Sequence, residues 1–314
     1  MLTRRHVRVK VMQSLYAFHK SENNNLKNEE KFLLKSMEEM YDLFLLQLNL
    51  FVEIKNYAKT YLERSQQKHL ATETDINPNK KFINNAVFQI LEENIQLQNS
   101  VEDRKLMHWS HDDEYVRILW EAIKESEIYS EYMETETSSF REDKDFVVAI
   151  FKKIIAPNEK VYEYFEDKKL TWLDDLPLVN TAVVKMLQKL KHNSGQDANL
   201  PNLFKSIDDK DFAFELFQKT YLKDESLAKE MLGKTPNWDK DRIADIDTVL
   251  IKMAICEFLH FPSIPVKVTI NEYLEISKEY STPKSSIFIN GILDKLSKEY
   301  NSEGKLNKMG RGLM

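Results

Sequence analysis

The sequence predicts an all-α protein. The chain has only 6 Gly and 8 Pro among its 314 residues, and folds rich in β-structure spend more of both on turns. Apolar residues recur three and four apart over long stretches, the spacing of one helix face. Capping residues and prolines stand at the ends of several of these stretches. With 42% hydrophobic and 11% aromatic content, the chain can bury a sizeable core.

Residues 4–20 read as a first helix, with Val7, Val11, Met12, Leu15 and Phe18 on its apolar side and Arg4, Arg5, Arg8 and Lys10 turned outward. An Asn-rich loop follows at 21–28. A long amphipathic pattern then runs over 29–64, carried by Phe32, Leu33, Met37, Met40, Phe44, Leu48 and Phe51, and its length calls for a hairpin partner or a kink. After a polar loop at 66–78, one further helix is expected over 80–98.

An internal repeat organises the middle of the chain. Asp143-Lys144-Asp145-Phe146 recurs as Asp209-Lys210-Asp211-Phe212, and Phe151, Lys153, Trp172 and Asp175 recur as Phe217, Lys219, Trp238 and Asp241 at the same 66-residue offset. Each copy opens on acids that favour a helix N-terminus. Residues 143–190 are therefore expected to duplicate the helical pair at 209–256, with their aromatics buried alike. Residues 197–205 read as the linker that follows.

Two capped helices close the chain. Thr269 stands three residues before Glu272, a capping-box spacing that starts a helix near Ile270. Thr282 and Pro283 are placed to cap and begin the next one, whose core positions are Ile289, Ile292, Leu293 and Leu296. Gly291 lies mid-helix, where it costs about 1 kcal/mol against Ala, so close approach by a neighbouring helix is expected there. Asn271 and Asn290 lie near apolar positions and would need partners if buried. The residues after 302, with Gly304, Gly310 and Gly312, read as a frayed tail.

Three ordered blocks carry a family resemblance. Ile270-Asn271-Glu272 followed by Phe288-Ile289-Asn290-Gly291-Ile292-Leu293-Asp294-Lys295 resembles the C-terminal signature of the NusB transcription antitermination family. Asp245 to Glu257 resembles the helix before it, and Arg4-Arg5-His6-Val7-Arg8 with Gln13 to Tyr16 resembles that family's arginine-rich start. The resemblance implies a NusB-like helical bundle with a long helical insertion after the first helix. Its parts are residues 1–21 as first helix and RNA-binding start, 22–205 as insertion, 206–302 as C-terminal core and 303–314 as tail.

Composition and motifs exclude most chemistry. There is no Gly-rich phosphate loop, nucleophile elbow or H-E-x-x-H, so no catalytic residue and no cofactor is expected. His108 and His111 are three apart without a clear third ligand, so no metal site is expected. Cys256, the single cysteine, lies in an apolar helix and reads as a small buried hydrophobe. No membrane-length apolar run and no signal-peptide pattern are present, which points to a soluble cytoplasmic protein.

Charge distribution adds a binding hypothesis. The net charge is −6, yet the five Lys and Arg of residues 1–20 face no acid there, while residues 121–143 hold eight acids against Lys124 and Arg141. The resemblance implies that boxA-type single-stranded RNA is contacted by Arg4, Arg5, Arg8 and Lys10 and by Lys284 and Phe288 of the last helix. Guanidinium suits this work because it pairs with phosphate through two bonds and stacks on bases. The implied partners are NusE, a ribosomal protein, and the transcription elongation complex, with no membrane and no small-molecule substrate. Asn271, Glu272, Asn290 and Gly291 are the structural motif positions. The second reading is a helical protein-interaction scaffold without RNA binding, in which the arginines are dispersed or paired with the acidic insertion.

Overall fold

The computed structural model describes residues 1–20, 25–195, 198–232 and 243–313. The described residues form sixteen α-helices and no strand: α1 Arg4–Lys20, α2 Leu26–Gln66, α3 Glu73–Ile76, α4 Ala86–Glu92, α5 Ile95–Asp103, α6 His108–His111, α7 Asp113–Lys124, α8 Glu127–Tyr132, α9 Phe140–Ile150, α10 Glu159–Lys168, α11 Thr171–Lys189, α12 Ile207–Leu222, α13 Asp224–Leu232, α14 Asp245–His260, α15 Val266–Tyr280 and α16 Ser285–Ser302. The all-α class is borne out. The chain divides into two compact units, one of Met1–Met37 with Leu203–Met314 and one of Glu38–Asn202.

In the first unit α14 is the hub. Its core residues run round the whole helix, from Val249 to Phe258, and a helix apolar on every side must be surrounded. It packs against α1, α12, α13, α15 and α16. Cys256 is fully buried in it, as expected of a small hydrophobe, and burial pushes its thiol up to about 11. The chain after α16 is tied down, unlike the frayed end expected. Lys308 Nζ donates to the carbonyls of Glu257 and Phe261 at the end of α14, at 3.2 and 3.0 Å, and the Met309 N–H donates to Pro262 O at 3.0 Å. Gly312 then passes so close that a Cβ there would lie 1.9 Å from Pro262 O, a contact only glycine permits.

The helix termini correct several expectations. α15 begins at Val266, with Pro265 in extended backbone at its N-cap, so Thr269 and Glu272 form no capping box. The Thr269 hydroxyl donates instead to the buried Glu257 carboxylate at 2.6 Å, and a charged acceptor is the stronger partner. α16 begins two residues past Pro283, at Ser285. There Ser281 and Ser285 each donate to Asp247 at 2.6 Å, so a buried acid of α14 fixes the junction between the last two helices. Gly291 is exposed and a Cβ there would meet nothing within 4 Å, so the expected close approach is absent. α16 buries Ile289, Ile292, Leu293, Leu296 and Tyr300, and Gly291 falls on the opposite side with Ile287 and Asp294. Asn271 and Asn290 are likewise exposed and need no buried partners.

The second unit is built round aromatic side chains. Phe82 packs against Phe88, Trp120, Tyr129 and Phe146, and Phe51 against Phe88 and Phe151. The single helix expected over 80–98 is two, α4 and α5. Asn85 Oδ1 accepts from the Val87 and Phe88 N–H groups and Asn94 Oδ1 from that of Leu97, each side chain starting a new helix where a continuous one was read. The 29–64 pattern forms one long helix of 41 residues, α2. A π-helical segment, Phe151–Ile155, continues α9. Phe146 and Phe151 are 5% and 1% exposed, beside 5% and 0% for Phe212 and Phe217, and Trp172 is fully buried. Trp238 and Asp241, their expected counterparts, and Asp197 of the expected linker lie outside the described residues.

Candidate nucleic-acid interface

The first turns of α1 present arginines, and each is met by a carboxylate from a different helix of the same unit. Arg4 Nε donates to Asp209 of α12 at 2.9 Å. Arg5 donates to Glu272 of α15 through both Nε and Nη2, at 2.9 Å each. Arg8 donates to Glu257 of α14 through Nε at 2.9 Å and Nη2 at 2.7 Å. Arg4 and Arg8 also lie over the ring of Phe212, at 5.2 and 5.1 Å from its centre.

Burial separates these arginines into two kinds. The side chains of Arg4 and Arg5 are 43% and 42% exposed, whereas Arg8 is 2% and Glu257 0%. Burial alone would push the Arg8 guanidinium down, but the charge of Glu257 and its hydrogen bonds outweigh that and hold it above its ordinary value. Glu257 also accepts from the Thr269 and Tyr273 hydroxyls, at 2.6 and 3.3 Å, so the buried pair is well satisfied. The hydrogen bond to Glu272 likewise raises Arg5 above its ordinary value.

Two sequence expectations therefore need correction. Arg8 and Lys10 are not outward: Lys10 is 4% exposed. Three helices, α12, α14 and α15, surround α1, so its polar side is narrower than its charge pattern implied. Arg4 and Arg5 do line a common cleft of about 670 Å³, with Thr3, His6, Ile264, Pro265, Val268 and Glu272. Just before α16, Lys284 is exposed and among the described residues has no ion-pair partner, and Phe288 is half-buried. Asp209 and Glu257 were not singled out from the sequence as arginine partners, nor Thr269 and Tyr273 as donors to Glu257. Glu257 was the one open to discovery, because an acid inside an all-round apolar helix demands a buried cation.

A sequence profile of the NusB family matches residues 179–298, which include α12 to α15 and nearly all of α16. Residues 179–298 belong to the NusB family. Among NusB-family relatives, the transcription antitermination protein NusB of Salinibacter ruber (strain DSM 13855 / M31) is 45% identical over 106 residues, 33% of this chain and 66% of that protein. The protein of the same name from Chloroherpeton thalassium (strain ATCC 35110 / GB-78) is 43% identical over 105 residues, 33% of this chain and 50% of its own length. That of Koribacter versatilis (strain Ellin345) is 37% identical over 94 residues, 30% of this chain and 64% of its length. The chain thus spans between half and two thirds of these relatives. No solved structure matches it. Of the arginine partners, Asp209, Glu257 and Glu272 lie within the NusB-family segment, while the arginines themselves precede it.

The described residues contain no group of three or more His, Cys, Asp or Glu placed to hold a metal ion, and no helix long and apolar enough to cross a membrane. His108 and His111 lie at the two ends of the short α6, and the ring of His111 hydrogen-bonds the Met107 carbonyl at 2.8 Å.

Proposed function

We propose that this chain is a non-enzymatic transcription antitermination factor of the cytoplasm, which binds boxA-type single-stranded RNA together with NusE within the transcription elongation complex during ribosomal RNA synthesis. The observation that carries the reading is the pair of half-exposed guanidiniums of Arg4 and Arg5 on one open cleft. Each keeps N–H donors that its carboxylate partner does not use, and free donors of that kind suit phosphate. The relatives, each a transcription antitermination protein NusB, support the same reading. A scaffold without RNA binding would have these arginines dispersed or paired with the acidic insertion. Their partners are instead Asp209 and Glu272, in the arginines' own unit.

Titrating a boxA-type RNA oligonucleotide with and without NusE, at two salt concentrations, tests ligand, partner and mode together. Replacing Arg4 and Arg5 by Ala removes two candidate phosphate contacts. The log–log salt slope should then flatten by about 1.4, at about 0.7 per contact for single strands. Both ion pairs are partly solvated, so the variant should stay within about 1 kcal/mol of the parent in urea unfolding. An unchanged slope would favour the scaffold.

A further inference from the structure

We infer that Glu272 is a positioning residue, one that holds the Arg5 guanidinium with its free edge towards an RNA phosphate in the cleft. The inference rests on the RNA-binding reading above. Arg5 spends one N–H of Nε and one of Nη2 on Glu272, at 2.9 Å each, in the parallel two-bond geometry that fixes a guanidinium plane. Of its five N–H donors, three remain, on the side away from the carboxylate. The Glu272 side chain is 21% exposed against 42% for Arg5, so the acid is the less exposed member of the pair. Both line the cleft.

Glu272 is itself well placed to hold. It lies in α15 within one turn of Thr269, whose hydroxyl is bonded to the buried Glu257 at 2.6 Å, and its carboxylate also stands 3.9 Å from Arg8 Nη1. The anchor of Arg5 thereby adjoins the buried Arg8–Glu257 pair. Arg4 is held more loosely, through Nε alone, by Asp209.

Two effects of the carboxylate oppose each other. Its negative charge repels an incoming phosphate, and its bonds remove the rotamer freedom that Arg5 would otherwise lose on binding. Repulsion acts across the guanidinium at a solvated site and is cut further by salt, whose screening length is about 8 Å at physiological ionic strength. Ordering a long arginine side chain is among the larger entropy losses of any residue, and the ion pair has already imposed it. Positioning outweighs repulsion.

The test is a double-mutant cycle in the full chain, read by RNA titration against salt with the same boxA-type oligonucleotide. Glu272→Ala should weaken binding about fivefold to tenfold, the equivalent of re-ordering one long side chain. Its salt slope should stay near the parent's, because Arg5 still neutralises its phosphate, whereas Arg5→Ala should lower the slope by about 0.7. Arg5→Ala with Glu272→Ala should bind no worse than Arg5→Ala alone, because the two act as one unit. Glu272→Gln, which keeps one acceptor for Nε, should recover part of the loss and replaces the Ala variant if that one folds poorly. Tighter binding by Glu272→Ala would show that the acid masks Arg5, and would overturn the inference. So would an unchanged affinity, or losses that add in the double variant. Absence of RNA binding by the parent chain would instead overturn the RNA-binding reading, and this inference with it.

Discussion

Arg8 and Glu257 bring opposite charges into a space from which water is nearly excluded, 2% and 0% exposed, and each is there because the other is. The desolvation cost of such a pair is of the same order as its attraction, so its presence adds little stability while its rupture removes much. Arg8→Ala leaves Glu257 charged, buried and short of two donors. It should cost about 3–5 kcal/mol in urea unfolding. Arg8→Met with Glu257→Leu should recover part of that, leaving the Thr269 and Tyr273 hydroxyls to find new partners. An Arg8→Ala variant within about 1 kcal/mol of the parent would mean that water reaches the pair. Loss of RNA binding on changing Arg8 would accordingly report on folding rather than on phosphate contact, whereas Arg4 and Arg5 can be removed at the surface.

Helix α16 shows how one element divides its two sides. Ile289, Ile292, Leu293, Leu296 and Tyr300 face the unit's interior, and Gly291 stands on the open side with nothing within 4 Å of a built Cβ. A mid-helix glycine there has no packing compensation, so Gly291→Ala should raise stability by about 1 kcal/mol in urea unfolding. A loss instead would show that the added methyl meets a neighbour within the chain, so that the site is not open. The element also marks where sequence reading stops. Periodicity located the core face of α16 and the existence of α1, because apolar spacing is local information, while capping residues pointed to α15 and the family resemblance to α14. It could not tell that Thr269 would prefer Glu257 to the backbone, since that acid is 12 residues away and the choice is tertiary. The break between α4 and α5 was missed for a different reason. Asn85 and Asn94 fall inside the single helix expected over 80–98, although asparagine often caps a new start.

At the scale of the whole chain, the resemblance placed the arginine-rich start and the C-terminal helices, and composition placed the class. The division into units was harder to read, because α2 runs unbroken from Leu26 to Gln66 while the division falls at Met37 and Glu38 inside it. No turn signal marks that point in the sequence. The recurrence at a 66-residue offset remains the one internal clue to what the second unit is. If residues 143–190 repeat the helical pair at 209–256, equivalent aromatics should carry equivalent energies. Phe146 and Phe212 offer the comparison, each 5% exposed and each near the middle of its helix. Truncating either to Ala should cost about 3–5 kcal/mol. Tryptophan fluorescence is weighted to the second unit, which buries Trp109, Trp120 and Trp172, three of the four tryptophans, and far-ultraviolet circular dichroism follows the helices of both. Phe146→Ala should move the fluorescence midpoint to lower urea by the amount that this cost and the unfolding slope dictate. A cost below about 1 kcal/mol at Phe146, with a full cost at Phe212, would break the equivalence. The shared Asp-Lys-Asp-Phe would then be two helix starts that met the same capping demand independently.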